Sequence, residues 1–172
     1  MKFAYADPPY LGQCGTKYNH EHHGGGCWDD VGTHKELIMR LDREYPDGWA
    51  LSLSTPSLRH LLPWCDIDVR VCAWVKPFAS FKPNVQRAYC WEPVLVRGGR
   101  ELTREDMTVR DYCSANITMR RGFPGAKPVD FCFWLFEFLG MEPTDTLDDL
   151  FVGSGAVTRA LDAWRAQTQL AL

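Results

Sequence analysis

Long apolar runs are missing from this sequence, and no stretch reaches the roughly 20 residues that a helix needs to cross a bilayer. No C-x-x-C pair occurs among the seven cysteines, their number is odd, and no signal peptide precedes the first apolar run. These absences are typical of a protein with reduced thiols and no membrane segment. We therefore expect a soluble cytoplasmic protein.

An excess of positive charge is also lacking, because the formal net charge is −3. No global field would draw the chain onto nucleic acid, so any such contact must come from a local basic patch. Repeats and low-complexity linkers are absent too, and 172 residues are enough for one hydrophobic core. We expect a single domain over residues 1–172, with inserted loops at 11–32 and 97–126.

Apolar runs and helical stripes alternate along the chain. The runs predict strands at 2–6, 49–53, 69–75, 89–96 and 146–151. Stripes and capping signals predict helices that begin at Thr33, Pro56, Asp130 and Ser154 or Gly155, and Gly140 is expected to end the third. This alternation predicts an α/β fold with an open, mostly parallel sheet and helices on both faces. The stretch 97–124 shows no strong periodicity.

A short motif, Ala6-Asp7-Pro8-Pro9-Tyr10, follows directly after the first predicted strand. The Asp7 carboxylate and the Pro8 carbonyl, which is held by proline φ restraint, are suited to accept two hydrogen bonds from one amino group. Such acceptance localises the lone pair of a conjugated amino nitrogen and stabilises the positive charge that develops on it when it attacks an electrophile. The ring of Tyr10 is suited to stack on a flat substrate.

A second motif, Asp149-Leu150-Phe151-Val152-Gly153-Ser154-Gly155, is predicted to join the last strand to the last helix. Its glycines allow close approach of the backbone to a ligand, and a helix N-terminus favours a carboxylate. In an open α/β sheet the ligand site lies beyond the carboxyl ends of the strands. We therefore expect the two motifs to meet in one site.

Together, and in this order, the two motifs resemble the DPPY and FxGxG segments of S-adenosylmethionine-dependent DNA amino-methyltransferases, in the permuted class called beta. The resemblance implies a Rossmann-like sheet of reduced strand number and S-adenosyl-L-methionine as the cofactor. It implies catalytic roles for Asp7, Pro8, Pro9 and Tyr10. It also implies cofactor contacts for Asp149, Phe151, Gly153, Ser154, Gly155 and, through a segment similar to T-x-K-P, for Lys127 and Pro128.

A weaker match is Trp91-Glu92-Pro93, which is similar to a strand motif of the family, and two departures qualify the resemblance. Leu150 stands where the family usually has proline. The family normally has a further strand ending in a ribose-binding acid, whereas residues 167–172 contain no Asp or Glu. The site is then a minimal one that holds the ribose elsewhere, a weak one, or one completed by a partner subunit or a second copy.

A loop rich in His and Gly follows the first motif, with two Cys and three His between Cys14 and Cys27. Its spacing fits no standard zinc pattern, so we expect no metal, although a zinc site stays open as an alternative. The loop is also suited to fold over a flipped base, with Tyr18 and His20 as candidate substrate contacts. A solvated loop without a function is the third possibility.

Basic residues are concentrated between Arg97 and Lys127, with seven Lys or Arg against four acidic residues. With Lys76 they are candidates for the local patch that phosphates require, and Arg120 and Arg121 are the most suggestive pair. Charge on a long loop often serves only solvation, which is the alternative here. Trp134 and Trp164 are expected in the core, and Trp28 and Trp74 near the pocket.

The first functional prediction is transfer of a methyl group to the exocyclic amino group of a base in DNA, adenine N6 before cytosine N4, with base flipping. RNA stays open as a substrate. The alternative from another class is a non-catalytic nucleic-acid-binding subunit that keeps the fold. The absent ribose-binding acid favours that alternative, and the intact motifs oppose it.

Overall fold

The structure, a computed structural model, describes residues 1–13, 28–78, 86–118 and 126–170. The strands are β1 (Lys2–Ala6), β2 (Gly48–Ser52), β3 (Arg70–Val75), β4 (Trp91–Gly98), β5 (Tyr112–Ser114) and β6 (Thr146–Asp149). The helices are α1 (Val31–Glu44), α2 (Thr55–Leu61), α3 (Val129–Phe138) and α4 (Ala156–Leu170), and a 3-10 turn, Leu62–Trp64, follows α2. None of these helices, in the part of the chain described, is long and apolar enough to cross a membrane.

The strands form one sheet in the order β5-β3-β4-β2-β1-β6. β1 is parallel to both β2 and β6, and β3 is parallel to β5. β4 is antiparallel to its neighbours β2 and β3, so it alone of the described strands runs against the others. The predicted class, a mostly parallel sheet, is confirmed.

The sheet carries a hydrophobic layer on each face because its central strands are buried on both sides. On one face Phe3 and Tyr5 of β1 pack with Phe131 and Leu135 of α3 and with the apolar side of α4. On the other face the alternate residues Ala4 and Ala6 pack with α1 and α2. Helices on both faces are therefore confirmed, as are the expected core positions of Trp134 and Trp164, which are 8% and 9% exposed.

Local signals explain where the helices begin and end. α1 begins after Asp30, whose Oδ2 accepts a hydrogen bond from the Thr33 backbone N–H at 3.0 Å. α3 is closed just after its last residue, Phe138, by Gly140, where φ is +63°. The N–H of Gly140 donates to the Glu137 carbonyl and the N–H of Met141 to the Phe136 carbonyl, which is the Schellman arrangement. The predicted end of this helix is confirmed.

Strand ends shift by two residues, since β4 is Trp91–Gly98 and β6 ends at Asp149 rather than at residue 151. Two further predictions differ from the structure. The pattern predicts Thr33 as the cap of the first helix, but Asp30 caps it three residues earlier, since its carboxylate accepts a hydrogen bond from the N–H of Thr33 itself. The stretch 97–124, in which no periodicity predicts regular structure, contains the last part of β4 and the strand β5. β5 spans only three residues, which is too short to produce an alternating pattern, and its pairing with β3 makes it a strand.

Candidate active site

The two motifs meet at the carboxyl ends of adjacent strands. β1 and β6 are parallel, with Tyr5 opposite Asp149 in the ladder. The N–H of Leu150 then donates to the Tyr5 carbonyl at 2.9 Å, just where both strands end. Asp7 follows β1 and the glycine loop follows β6, so the two segments leave the sheet side by side.

Asp7 is bound by a lysine that is distant in sequence. The Lys127 Nζ atom lies 2.8 Å from Oδ1 and 2.8 Å from Oδ2 of Asp7. The Lys127 side chain is only 4% exposed, so its charge depends on protein anions rather than on water. Pro8 and Pro9, which follow Asp7, are buried.

Tyr10 connects Asp7 to a second carboxylate. Its hydroxyl lies 3.0 Å from Asp7 Oδ1 and 3.1 Å from Glu92 Oε2, and Lys127 Nζ donates to it at 3.3 Å. Burial, followed by the nearby charges of Asp7 and Glu92, raises the pKa of Tyr10 well above its usual value, so the phenol keeps its proton. A hydroxyl has one proton and donates to one of the two carboxylates at a time.

Glu92, on β4, completes the cluster. Its Oε1 forms an ion pair with Lys76, and its Oε2 lies 3.8 Å from Lys127 Nζ. Burial opposes ionisation of this carboxyl, but Lys127 and Lys76 outweigh that effect and lower the pKa of Glu92. Trp74 lies beneath both lysines, with its ring centroid 4.5 Å from Lys76 Nζ and 5.3 Å from Lys127 Nζ.

Asp149 presents a different kind of carboxylate. Both of its side-chain oxygens are buried, and neither accepts a well-formed hydrogen bond within the part of the chain described. Burial raises the pKa of Asp149, the backbone N–H of Phe151 offsets this only in part, and the charge of Asp7 raises the pKa further. A buried carboxylate of this kind is suited to a cationic donor such as an ammonium group.

The glycine loop after Asp149 turns the chain into α4. Gly153 and Gly155 have φ of +48° and +69°, and Arg159 of α4 donates to the Ser154 carbonyl at 2.8 Å. The Phe151 ring packs edge-on against Trp28, with centroids 5.1 Å apart. Phe151 therefore anchors the loop to the segment that precedes α1.

A cavity of about 390 Å³ lies along the outer side of β6. β6, α1 and α4 line it with residues that include Asp148, Asp149, Tyr45, Val152 and Thr158. Residues 7–10 are not among the described residues that line it. Asp149 lines the cavity and also feels the charge of Asp7, so it lies close to both.

The structure brings together Asp7, Tyr10, Lys127 and Lys76 in one network, and places Asp149 with the 151–155 loop beside it. Lys127, which was expected to contact the cofactor, forms an ion pair with Asp7 of the first motif. Lys76, which was expected to contact the substrate, forms an ion pair with Glu92. Tyr18, His20, Arg120 and Arg121 lie outside the described residues, as does the loop from Cys14 to Cys27. Among the described residues no group of three metal-binding side chains occurs.

Sequence reasoning identified Glu92 without giving it a place in the site. The available signal was an acidic residue next to an apolar run, since β4 buries Val94, Leu95 and Val96. A charged group at the end of a buried strand needs a partner, but the sequence alone does not tell which lysines provide it.

Comparison with known proteins found similar structures but no similar sequence family. No protein-family profile and no curated protein match this chain. The structure is similar to that of M1.HpyAVI in complex with SAM, with a TM-score of 0.62 and 15% identity over 95% of this chain and 77% of that chain. It is also similar to TTHA0409 from Thermus thermophilus, named as a DNA modification methylase, with a TM-score of 0.54 and 15% identity over 95% of this chain and 77% of that one.

A second structure of TTHA0409, complexed with S-adenosyl-L-methionine, gives a TM-score of 0.51 with 15% identity over 94% of this chain and 77% of that chain. At this level of identity the likeness concerns the arrangement of helices and strands. The chain thus has the Rossmann-like α/β fold of these proteins, which confirms the predicted fold class.

Proposed function

We propose that this chain transfers a methyl group from S-adenosyl-L-methionine to the exocyclic amino group of a base in DNA, adenine at N6, with the base flipped out of the duplex. The observation that carries the proposal is the juxtaposition of Tyr5 and Asp149, which sets the Asp7 segment beside the glycine loop. The fold agrees, because M1.HpyAVI and TTHA0409 bind this cofactor and TTHA0409 is named as a DNA modification methylase.

In the proposed reaction the Asp7 carboxylate and the Pro8 carbonyl accept the two N–H groups of the base. This draws the nitrogen toward tetrahedral geometry and makes its lone pair available. The charge of Asp7 then stabilises the positive charge that develops on the nitrogen, and Asp7 is the nearest group to take the proton that the product releases. Tyr10, whose hydroxyl is fixed at both carboxylates, holds its ring at the base.

The residues around Asp149 fit the cofactor. The buried carboxylate of Asp149 is suited to accept a hydrogen bond from the ammonium group of the cofactor's methionine part. The backbone of the 153–155 loop is accessible to a ligand. When bound, the cofactor supplies a methyl group on a sulfonium. The cavity beside Asp149 has room for part of a nucleoside. Lys127 and Pro128, by resemblance, would assist, although Lys127 lies on Asp7 in this structure.

Cytosine N4 and RNA are alternative targets of the same chemistry, because a carboxylate and a carbonyl do not distinguish one amino group from another. The test is incubation of DNA and RNA with the protein and cofactor labelled in its methyl group, followed by digestion to nucleosides and mass spectrometry. Labelled N6-methyladenine in DNA supports the proposal. Labelled N4-methylcytosine or label in RNA alone corrects the target, and no label in either contradicts the proposal.

A non-catalytic nucleic-acid-binding subunit is the second candidate. It is favoured by the position of β6, which is the edge strand of the sheet as far as the structure describes it, so no described strand on its outer side carries an acidic residue for a ribose. Titration calorimetry with S-adenosyl-L-methionine separates the two candidates. A lack of binding at millimolar cofactor favours the subunit, and methyl transfer excludes it.

A further inference from the structure

Asp7 is already engaged by a cation in this structure. Both of its oxygens lie 2.8 Å from Lys127 Nζ, and Tyr10 approaches Oδ1 at 3.0 Å. An ammonium on a carboxylate neutralises the charge that would stabilise a cationic amine and competes with the N–H groups of a base. Under the proposed function, Lys127 must therefore move back when the base arrives.

Lys127 has little access to water, because its side chain is 4% exposed and packs near the rings of Trp74 and Phe131. A buried ammonium that leaves one anion needs another within reach. Glu92 is that anion, since its Oε2 lies 3.8 Å from Lys127 Nζ. Lys127 Nζ would reach Glu92 if this distance shortened from 3.8 Å to 2.8 Å, the present distance between Lys127 Nζ and Asp7.

We propose that Glu92 is a positioning residue, which receives the Lys127 ammonium when the amino group of the target base engages Asp7. This inference rests on the proposed function, and it adds a second anion to the site that acts only through Lys127 and Tyr10. Lys76 holds the other oxygen of Glu92, so the acceptor is already in place before the shift. The Tyr10 hydroxyl is within hydrogen-bond distance of both carboxylates. It stays hydrogen-bonded to Glu92 when Asp7 accepts the amino group of the base.

Charge balance explains why the acceptor must be an anion. Asp7 and Glu92 face Lys127 and Lys76, two negative charges against two positive. With Glu92→Gln the carboxylate that lies 3.8 Å from Lys127 Nζ is lost, and Lys127 stays on Asp7. The expected result is a fall in kcat of about tenfold or more, the usual size of coupling between charged groups in contact, with the KM for the cofactor changed less than about twofold.

The experiment measures kcat and both KM values for Glu92→Gln, Glu92→Asp and the matched surface variant Glu137→Gln, and the melting temperature of each. Glu92→Asp keeps the charge and should recover most of kcat, whereas a role in packing alone would be met as well by Gln as by Asp. Glu137 is exposed on α3, and its variant should match the wild type.

NMR of protein labelled with ¹⁵N-lysine observes the Lys127 ammonium directly. Its signal is assigned as the one that is lost in Lys127→Arg. Deoxyadenosine monophosphate with S-adenosylhomocysteine should shift this signal in the wild type and not in Glu92→Gln. Methyl transfer at the wild-type rate by a folded Glu92→Gln, or an equal shift in both proteins, overturns this inference and leaves the proposed function standing. A wild-type protein without transfer overturns the proposed function, and this inference with it.

Discussion

Tyr5 and Asp149 lie opposite each other in the β1–β6 ladder, although they come from the two ends of the sequence. The hydrogen bond from Leu150 N–H to the Tyr5 carbonyl, at 2.9 Å, closes the ladder where both strands end. The segments that follow β1 and β6 therefore both leave the sheet at the carboxyl ends of the strands. As a result, the charge of Asp7 acts on Asp149. The proposed methyl transfer depends on this proximity.

Replacing Asp7 should remove activity and leave the fold. We expect Asp7→Asn to lower methyl transfer by at least about 100-fold, because the neutral amide does not stabilise the charge on the attacked nitrogen. Transfer of labelled methyl to DNA measures the effect, and the melting temperature reports the fold. Asp162→Asn, exposed on α4, is the matched control and should behave as the wild type. Activity of Asp7→Asn within about tenfold of the wild type would reject the assigned mechanism.

Replacing Asp149 should separate stability from cofactor affinity. Its buried carboxylate lacks a well-formed hydrogen bond within the described residues, so Asp149→Asn should keep or raise the melting temperature. Affinity for S-adenosyl-L-methionine, measured by calorimetry, should fall about 10- to 100-fold, the loss expected for one charged hydrogen bond.

Asp148 provides the contrast for Asp149. It lines the same cavity, but its Oδ2 accepts a hydrogen bond from Tyr45 at 2.8 Å and lies 3.2 Å from Lys2 Nζ. Asp148→Asn should therefore lower stability slightly and affect affinity less. Equal loss of affinity in the two variants would contradict the role of Asp149.

His34 should make stability depend on pH. Its ring is 1% exposed, and Nε2 lies 2.8 Å from the Trp28 carbonyl. Burial lowers its pKa, and the hydrogen bond to Trp28 and the charges of Asp30 and Asp29 offset this only in part. A lowered pKa means that stability is full above the unfolded value, about 6.5, and is lost as the pH falls toward the folded value.

Urea unfolding at about pH 7.5 and about pH 5.5 measures this loss, since few carboxylates titrate in that interval. His34→Gln should show a smaller decrease between the two pH values than the wild type does. His60→Gln, exposed on α2, should show the same decrease as the wild type. An unchanged decrease in His34→Gln would show that another group is responsible.

Gly140 should tolerate no side chain. Its φ is +63°, and a Cβ there would lie 2.8 Å from the Arg100 Cβ and 3.2 Å from the Arg100 carbonyl oxygen. At Gly12, where φ is +78°, an added Cβ would meet no atom within 4 Å. Gly12→Ala should cost about 1–2 kcal/mol of unfolding free energy from backbone strain alone, and Gly140→Ala more by at least about 1 kcal/mol. Equal losses in urea unfolding would mean that the backbone relaxes around Arg100.

Local features were predictable because they depend on residues close in sequence. The first strand, 2–6, was predicted with its observed bounds, and the end of α3 at Gly140 follows from glycine's tolerance of positive φ. β5 was missed because a strand of three residues exists only through its pairing with β3. The first cap was placed at Thr33 rather than Asp30 because both residue types favour that position and only the geometry selects one.

The amino-acid pattern alone was enough to predict the α/β class, the position of Asp7 and of the glycine loop at strand ends, and the residue types suited to accept hydrogen bonds from an amino group. These follow from apolar periodicity and from side-chain chemistry, which act over a few residues. The folded chain was needed to show that Lys127 reaches Asp7, that Glu92 lies between two lysines, and that the carboxylate oxygens of Asp149 are buried. Such contacts join residues far apart in the chain, and burial in a shared core, which no local pattern encodes, sets which charges meet.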